Sequence, residues 1–151
     1  MATLPALAAA LADLRASADE LDKLDDELTA MIPAVEDALR GLRLGVRIAV
    51  QIDRDEQGEK LLAFDRYGKD WRLLIEEGPD MGEPEDWSVT ALASAPRDDR
   101  ASVFESHLDS LLMSASKQIK DKVAARRETI KETKSIVEVL KNAAKPKKGK
   151  P

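Results

Sequence analysis

The chain has 151 residues, of which 35% are charged and only 3% aromatic, and it contains no cysteine. A single domain is expected at this length, made of long helices that bury a narrow seam and not of a broad core. The missing cysteine excludes a disulfide framework, a thiolate nucleophile and a cysteine metal site, and makes a reducing cytoplasm the simplest compartment. Charge is spread unevenly: residues 1–110 carry 12 Lys/Arg against 25 Asp/Glu, a net of −13, and residues 111–151 carry 12 against 4, a net of +8. An acidic body therefore precedes a basic C-terminal region.

The first element predicted is a helix from about Leu4 to about Leu42. Steps of seven from Leu7 give Leu14, Leu21, Leu28, Val35 and Leu42. The companion series from Leu4 gives Leu11, Ala18, Asp25, Ile32 and Leu39. Together they form an a/d seam that must be buried against something. Thr3 is placed to cap the helix, with Pro5 in its first turn. Asp25 falls on the seam and needs a cation or water beside it. Pro33 predicts a kink and not a stop, because the heptad resumes in phase behind it. Met1 to Ala12 is uncharged but lacks the basic start of a signal peptide and is too short to span a bilayer, so no membrane association is expected.

After Gly41 and Gly45 the period changes from 3.5 to 2. A strand is predicted over Leu44 to Ile52, a polar loop over Asp53 to Glu59, and a second strand over Lys60 to Tyr67. Gly68-Lys69 reads as a two-residue hairpin turn into a third strand, Asp70 to Glu77. That turn sets the register: Tyr67 faces Asp70, Arg66 faces Trp71, Phe64 faces Leu73, Leu62 faces Ile75, and Asp65 meets Arg72. Gly78 to Asp86 is an acidic loop, and Trp87 to Leu92 a short fourth strand.

A second long helix is expected from Ser94, its N-cap, with Asp98 and Asp99 in the first turn. Its seam reads Leu108, Leu112, Ala115, Ile119, Val123, Arg126, Ile130, Thr133, Val137 and Leu140, with a stutter from Ile119 to Val123. The predicted fold class is α+β: a long antiparallel two-helix coiled-coil hairpin with a four-stranded antiparallel β-meander head between the helices. Residues 1–142 form this one domain, and residues 143–151 are a disordered basic tail. The acidic run Asp19 to Glu27 would lie opposite Lys117, Lys120 and Lys122 and select the partner and its orientation.

The layout of residues 4–141, two long helices joined by β-hairpins, resembles a prefoldin subunit of similar length. The resemblance implies assembly through β-strands, and a holdase that grips unfolded clients with the open ends of its coiled coils.

Signals for chemistry are sparse. Asp53-Arg54-Asp55-Glu56-Gln57-Gly58 opens like a calcium loop, but Phe64 stands where the closing bidentate glutamate belongs, and a polar hairpin loop explains the stretch better. One histidine, His107, and no cysteine cannot build an ordinary zinc site. No carboxylate pair, phosphate-binding loop or nucleophile elbow stands out. The aromatics Phe64, Trp71 and Phe104 read as head core. No catalysis, cofactor or metal is expected. The function expected is a coiled-coil scaffold or adaptor that self-associates and binds a protein partner. The alternatives are the holdase, and a nucleic-acid-associated protein using the basic end, where Lys145, Lys147, Lys148 and Lys150 would contact phosphates in a salt-dependent way. For self-association the expected contact is the second face of the sheet, a small apolar centre of Ala49, Leu61, Ala63 and Leu74 rimmed by charges including Arg72. On that reading Leu74→Lys lowers the oligomer mass and leaves the helical signal intact.

Overall fold

A computed structural model describes residues 3–145, and its first element is the helix α1, Leu4–Gly41. The Thr3 hydroxyl accepts a hydrogen bond from the Ala6 N–H at 3.3 Å, and Pro5 sits in the first turn, where an N–H is not needed. The helix passes Pro33 without stopping. Beyond Gly41 two left-handed residues, Arg43 at φ 50° and Gly45 at φ 67°, turn the chain towards the sheet; glycine suits the second because it has no Cβ to clash there.

The sheet is an antiparallel meander of β1 (Ile48–Asp55), β2 (Gly58–Tyr67), β3 (Asp70–Gly78) and β4 (Ser88–Ala91), in that spatial order. The β2–β3 register agrees at every pair derived from the Gly68-Lys69 turn, from Tyr67 opposite Asp70 to Leu62 opposite Ile75. Asp65 does stand opposite Arg72, but both charges find other partners, Arg47 for Asp65 and Glu36 for Arg72. The β1–β2 connection is tighter than the seven-residue loop expected. β1 runs on to Asp55 and β2 begins at Gly58, with a bulge between Gln51 and Asp53. The Asp55 carboxylate accepts from the N–H groups of Gln57 and Gly58 at 2.8 and 3.1 Å, which closes the turn locally.

The second helix does not start at Ser94. Leu92–Ser94 is a 3-10 turn, Pro96 takes the N-cap place, and α2 is short, Arg97–Ser102, with Asp98 and Asp99 in its first turn. A π-helical turn, Val103–His107, leads into α3, Leu108–Ala144. The π turn explains why Leu111 is buried and Leu112 exposed, against the expected seam. In an unbroken α-helix Val103 would share a face with residues 107, 110 and 114. One extra residue in the turn brings Leu111 and Ala115 onto that face instead.

The chain divides into two units, Met1–Ser114 and Ala115–Pro151. In the first, α1 packs on β3, on the 3-10 turn and on α2. Its core holds Ile32 and Leu39 of α1, Ile48, Leu62, Phe64, Leu73 and Ile75 of the sheet, and Leu92, Val103 and Leu111. Full burial of each large aliphatic contributes about 1.5–3 kcal/mol. The Phe64 and Trp71 rings lie 5.6 Å apart and tilted, on the face that α1 covers. The second unit as described is the helix from Ala115 to Ala144.

α1 also stands in for a missing piece of strand. β4 pairs with β3 only from Leu74 to Glu77. Next to its end, the N–H of Leu73 donates to the buried carboxylate of Glu36 at 2.8 Å, and Arg40 donates to the carbonyl of Trp71 at 2.7 Å. Two edge groups of β3 that β4 does not reach are thus satisfied from the helix.

α2 is tied down by charge. Arg97 pairs with Asp22 and lies 3.7 Å from Asp25, which supplies the cation that the seam aspartate required. Lys60 bridges Asp99 at 3.1 Å and Glu77 at 3.2 Å. Burial pulls the Lys60 pKa down, but the hydrogen bonds to Asp99 and Glu77 outweigh it and hold the value above that of an ordinary lysine. A folded-state pKa raised above the unfolded one contributes stability that is complete below the ordinary lysine value and is lost as pH rises through the raised value. Urea melts at alkaline pH should therefore lose stability more steeply in the parent chain than in Lys60→Met. Identical slopes would show that the bridge does not stabilise the fold.

Candidate interaction surface

The second face of the sheet carries a row of small apolar residues, Ala49, Ala63, Leu74 and Ala91, in register across the four strands. It is not the open patch expected from the sequence. Ala63 is 0% exposed and Leu74 2% exposed, while Ala49, Leu61 and Arg72 are half-buried. Arg47 reaches across the same face. Its guanidinium crosses β2 to reach Glu76 on β3, with both carboxylate oxygens engaged at 2.5 and 2.9 Å, and also holds Asp65 at 3.0 Å. The hydrogen bond to Glu76, with help from Asp65, raises the Arg47 pKa against the opposing effect of burial. A bidentate bridge of this kind fixes the guanidinium in place. Three of the rim charges expected to surround a contact, Arg47, Asp65 and Glu76, pair with one another instead. Arg72 turns to Glu36 at 3.7 Å.

The long helices are different. In α1 the packed positions include Asp25, Leu28, Ile32, Val35 and Leu39, the continuation of the heptad seam, with Thr29, Glu36 and Arg40 beside it. The same stripe runs on towards the N-terminus as exposed residues. Every residue from Leu4 to Leu24 is exposed, and Leu11 and Leu14 are each 65% open to solvent. In the second unit the seam residues Val123, Ile130, Val137 and Leu140 are exposed as well, Ile130 by 53%. An isolated exposed leucine is ordinary; a row at heptad spacing over several turns is a surface shaped for another helix.

The charges beside the seams are as open as the leucines. Among the described residues, Asp19, Glu20, Asp26 and Glu27 of α1 make no ion pair, and neither do Lys117, Lys120, Lys122, Arg126, Arg127, Lys131 and Lys134. Lys145 is exposed at the end of the described chain. Lys147, Lys148 and Lys150, with the rest of the basic tail from residue 146, lie outside the described residues.

The hairpin loop that opens like a calcium site spends its carboxylates on structure. Asp55 closes the turn, Asp53 accepts from the Arg54 N–H at 2.8 Å, and Arg54 pairs with Asp80. Among the described residues no group of three or more His, Asp or Glu side chains is placed to hold a metal ion. Arg100 leaves its Nε buried without a partner, and nothing in the structure explains it. No described helix is long and apolar enough to cross a membrane. No protein-family model, curated protein or solved structure matches the chain.

Sequence reasoning found the stripe and expected the sheet to cover only its end nearest the head, near Leu39 and Leu42, with the rest in a helical hairpin. It missed that the 3-10 turn and α2 join β3 in packing on α1, and that the packed stretch reaches back to Asp25. Leu92, which is fully buried, was the available signal: a large apolar residue just past a short strand, with no place on the helix-two seam.

Proposed function

We propose that the protein is a non-catalytic assembly module whose long helices dock other helices into a coiled coil. The uncovered seam supports this most directly: Leu4, Leu7, Leu11, Leu14 and Leu21 continue a stripe that is buried further along the same helix. Each leucine, once buried, contributes about 1.5–3 kcal/mol, so three heptads supply enough to offset the cost of association. The acidic charges on α1 and the basic charges on residues 117–134 decide which helix is accepted and in which direction. The sheet acts as the rigid block that holds α1 in place, through Glu36 and Arg40 on the edge of β3.

The absence of native cysteine makes a direct test simple. Single cysteines at the seam, Leu11→Cys and Ile130→Cys, are compared with neighbours off the seam, Ala12→Cys and Lys131→Cys, for their rate of modification by a soluble thiol reagent. Docked seams should slow the seam positions at least tenfold, about 1.4 kcal/mol of protection. Equal rates at all four positions would sink the reading.

A further inference from the structure

We infer a capacity separate from helix docking: the cleft between the end of α1 and the β2–β3 hairpin is a binding site for a small aromatic carboxylate. The cleft has a volume of about 320 Å³, at the small end of the range for ligand sites, with room for one ring and its acid group. Its apolar lining is Leu39, Leu44, Phe64 and Trp71. Leu39 and Phe64 are buried there and Trp71 is half-buried, its ring tilted against that of Phe64. Such walls accept a flat ring by offset or edge-on stacking.

Charge decides the sign of the ligand. Arg40, Arg43 and Lys69 line the cleft against one carboxylate, Asp70. Arg40 is already engaged: it donates to the Trp71 carbonyl at 2.7 Å and to Asp37 at 2.6 Å, and Asp70 acts on it as well. Arg43 and Lys69 are exposed and, among the described residues, make no ion pair. A cation would be drawn to the rings but repelled by these two groups. An inorganic anion would leave the apolar walls wet. A ring that carries a carboxylate satisfies both halves of the cleft. The carbonyl end of a helix disfavours an anion, but the carbonyls of Leu39 and Arg40 already accept from the N–H groups of Leu42 and Arg43 at 3.2 and 3.0 Å. The backbone singles out Arg43. It follows the C-cap Leu42 at φ 50°, the left-handed place where a helix usually ends on glycine or asparagine. A residue with a Cβ is strained there, and a glycine would close the helix as well. What arginine adds in that place is a guanidinium at the cleft.

The test uses two probes of one shape, cinnamate and its neutral amide, cinnamamide, titrated into the full chain and followed by calorimetry and NMR. Cinnamate should bind with a Kd below about 1 mM and cinnamamide at least about tenfold more weakly. The indole N–H signal of Trp71 should shift with the titration, and that of Trp87, whose ring lies over Gly78, should not. Arg43→Gln and Lys69→Gln should each weaken cinnamate by about fivefold or more and leave cinnamamide unchanged. Their CD spectra should stay at the parent level, because both residues are exposed. Arg43→Gly separates binding from folding: it relieves the left-handed strain, so it should melt close to the parent and still lose affinity for cinnamate. No saturable binding of cinnamate up to about 5 mM overturns the inference. So does equal affinity for the two probes, a signal of Trp87 that moves in place of Trp71, or a set of variants that bind as the parent does.

Discussion

Replacing Glu36 with alanine should lower the unfolding free energy by about 3 kcal/mol, the loss expected when a buried charged partner is deleted and its neighbours are left unsatisfied. Glu36 is 4% exposed, on the face of α1 that packs against the sheet. Its carboxylate accepts from the N–H of Leu73, just past the point where β4 stops pairing. Without it that N–H remains buried with no acceptor, and Arg72 loses its nearest carboxylate. Glu36→Gln keeps the shape and one acceptor oxygen but not the charge, so it should recover part of the loss. Chemical denaturation followed by CD and by tryptophan emission measures both effects; Trp71 lies in the adjoining stretch of β3 and should report the same transition. If Glu36→Ala unfolds within about 0.5 kcal/mol of the parent, the size of an ordinary surface change, the helix-to-edge hydrogen bond does not hold the sheet.

Glu36 also marks the limit of what the sequence discloses. The sheet was legible because its information is local. Gly68-Lys69 fixes a two-residue turn, the turn fixes the register, and the register puts Leu62, Phe64, Leu73 and Ile75 on one face. Thr3, Pro5 and the first-turn aspartates of α2 were legible for the same reason. The seam of α1 was legible as a stripe, but a stripe does not name what covers it. Residues 25–39 are covered by the sheet, the 3-10 turn and α2 in one chain, and residues 4–24 are left open, although the heptad is the same throughout. The difference is set by elements distant in sequence. The π turn at Val103–His107 was invisible because it is a one-residue adjustment forced by packing, with no residue pattern of its own. The Arg47 bridge was missed because it links residues 29 apart in sequence, on strands whose charges could equally have been solvated rim.

The burial of Leu74 reverses the expected outcome of Leu74→Lys. With Leu74 on an open face the substitution would change assembly and nothing else. The structure instead buries Leu74, 2% exposed, between Ala63 and Ala91 in the sheet, with the paired charges of Arg47, Asp65 and Glu76 on the same face. A lysine there gives up the burial of a leucine, about 2–3 kcal/mol. It also brings an ammonium into the sheet beside two carboxylates, Asp65 and Glu76, that Arg47 already engages, and to keep that charge hydrated it must displace the Arg47 bridge or open the sheet. The combined loss should reach about 4 kcal/mol or more, a large part of the stability of a domain this size. Leu74→Ala isolates the apolar part and should cost about 3 kcal/mol. In thermal melts followed by CD, Leu74→Lys should bring down the sheet and the part of α1 that packs on it in one early transition, with Leu74→Ala between it and the parent. A Leu74→Lys chain that melts with the parent, and differs only in its mass by light scattering, would restore the sheet face as an assembly surface and count against Leu74 as a core residue.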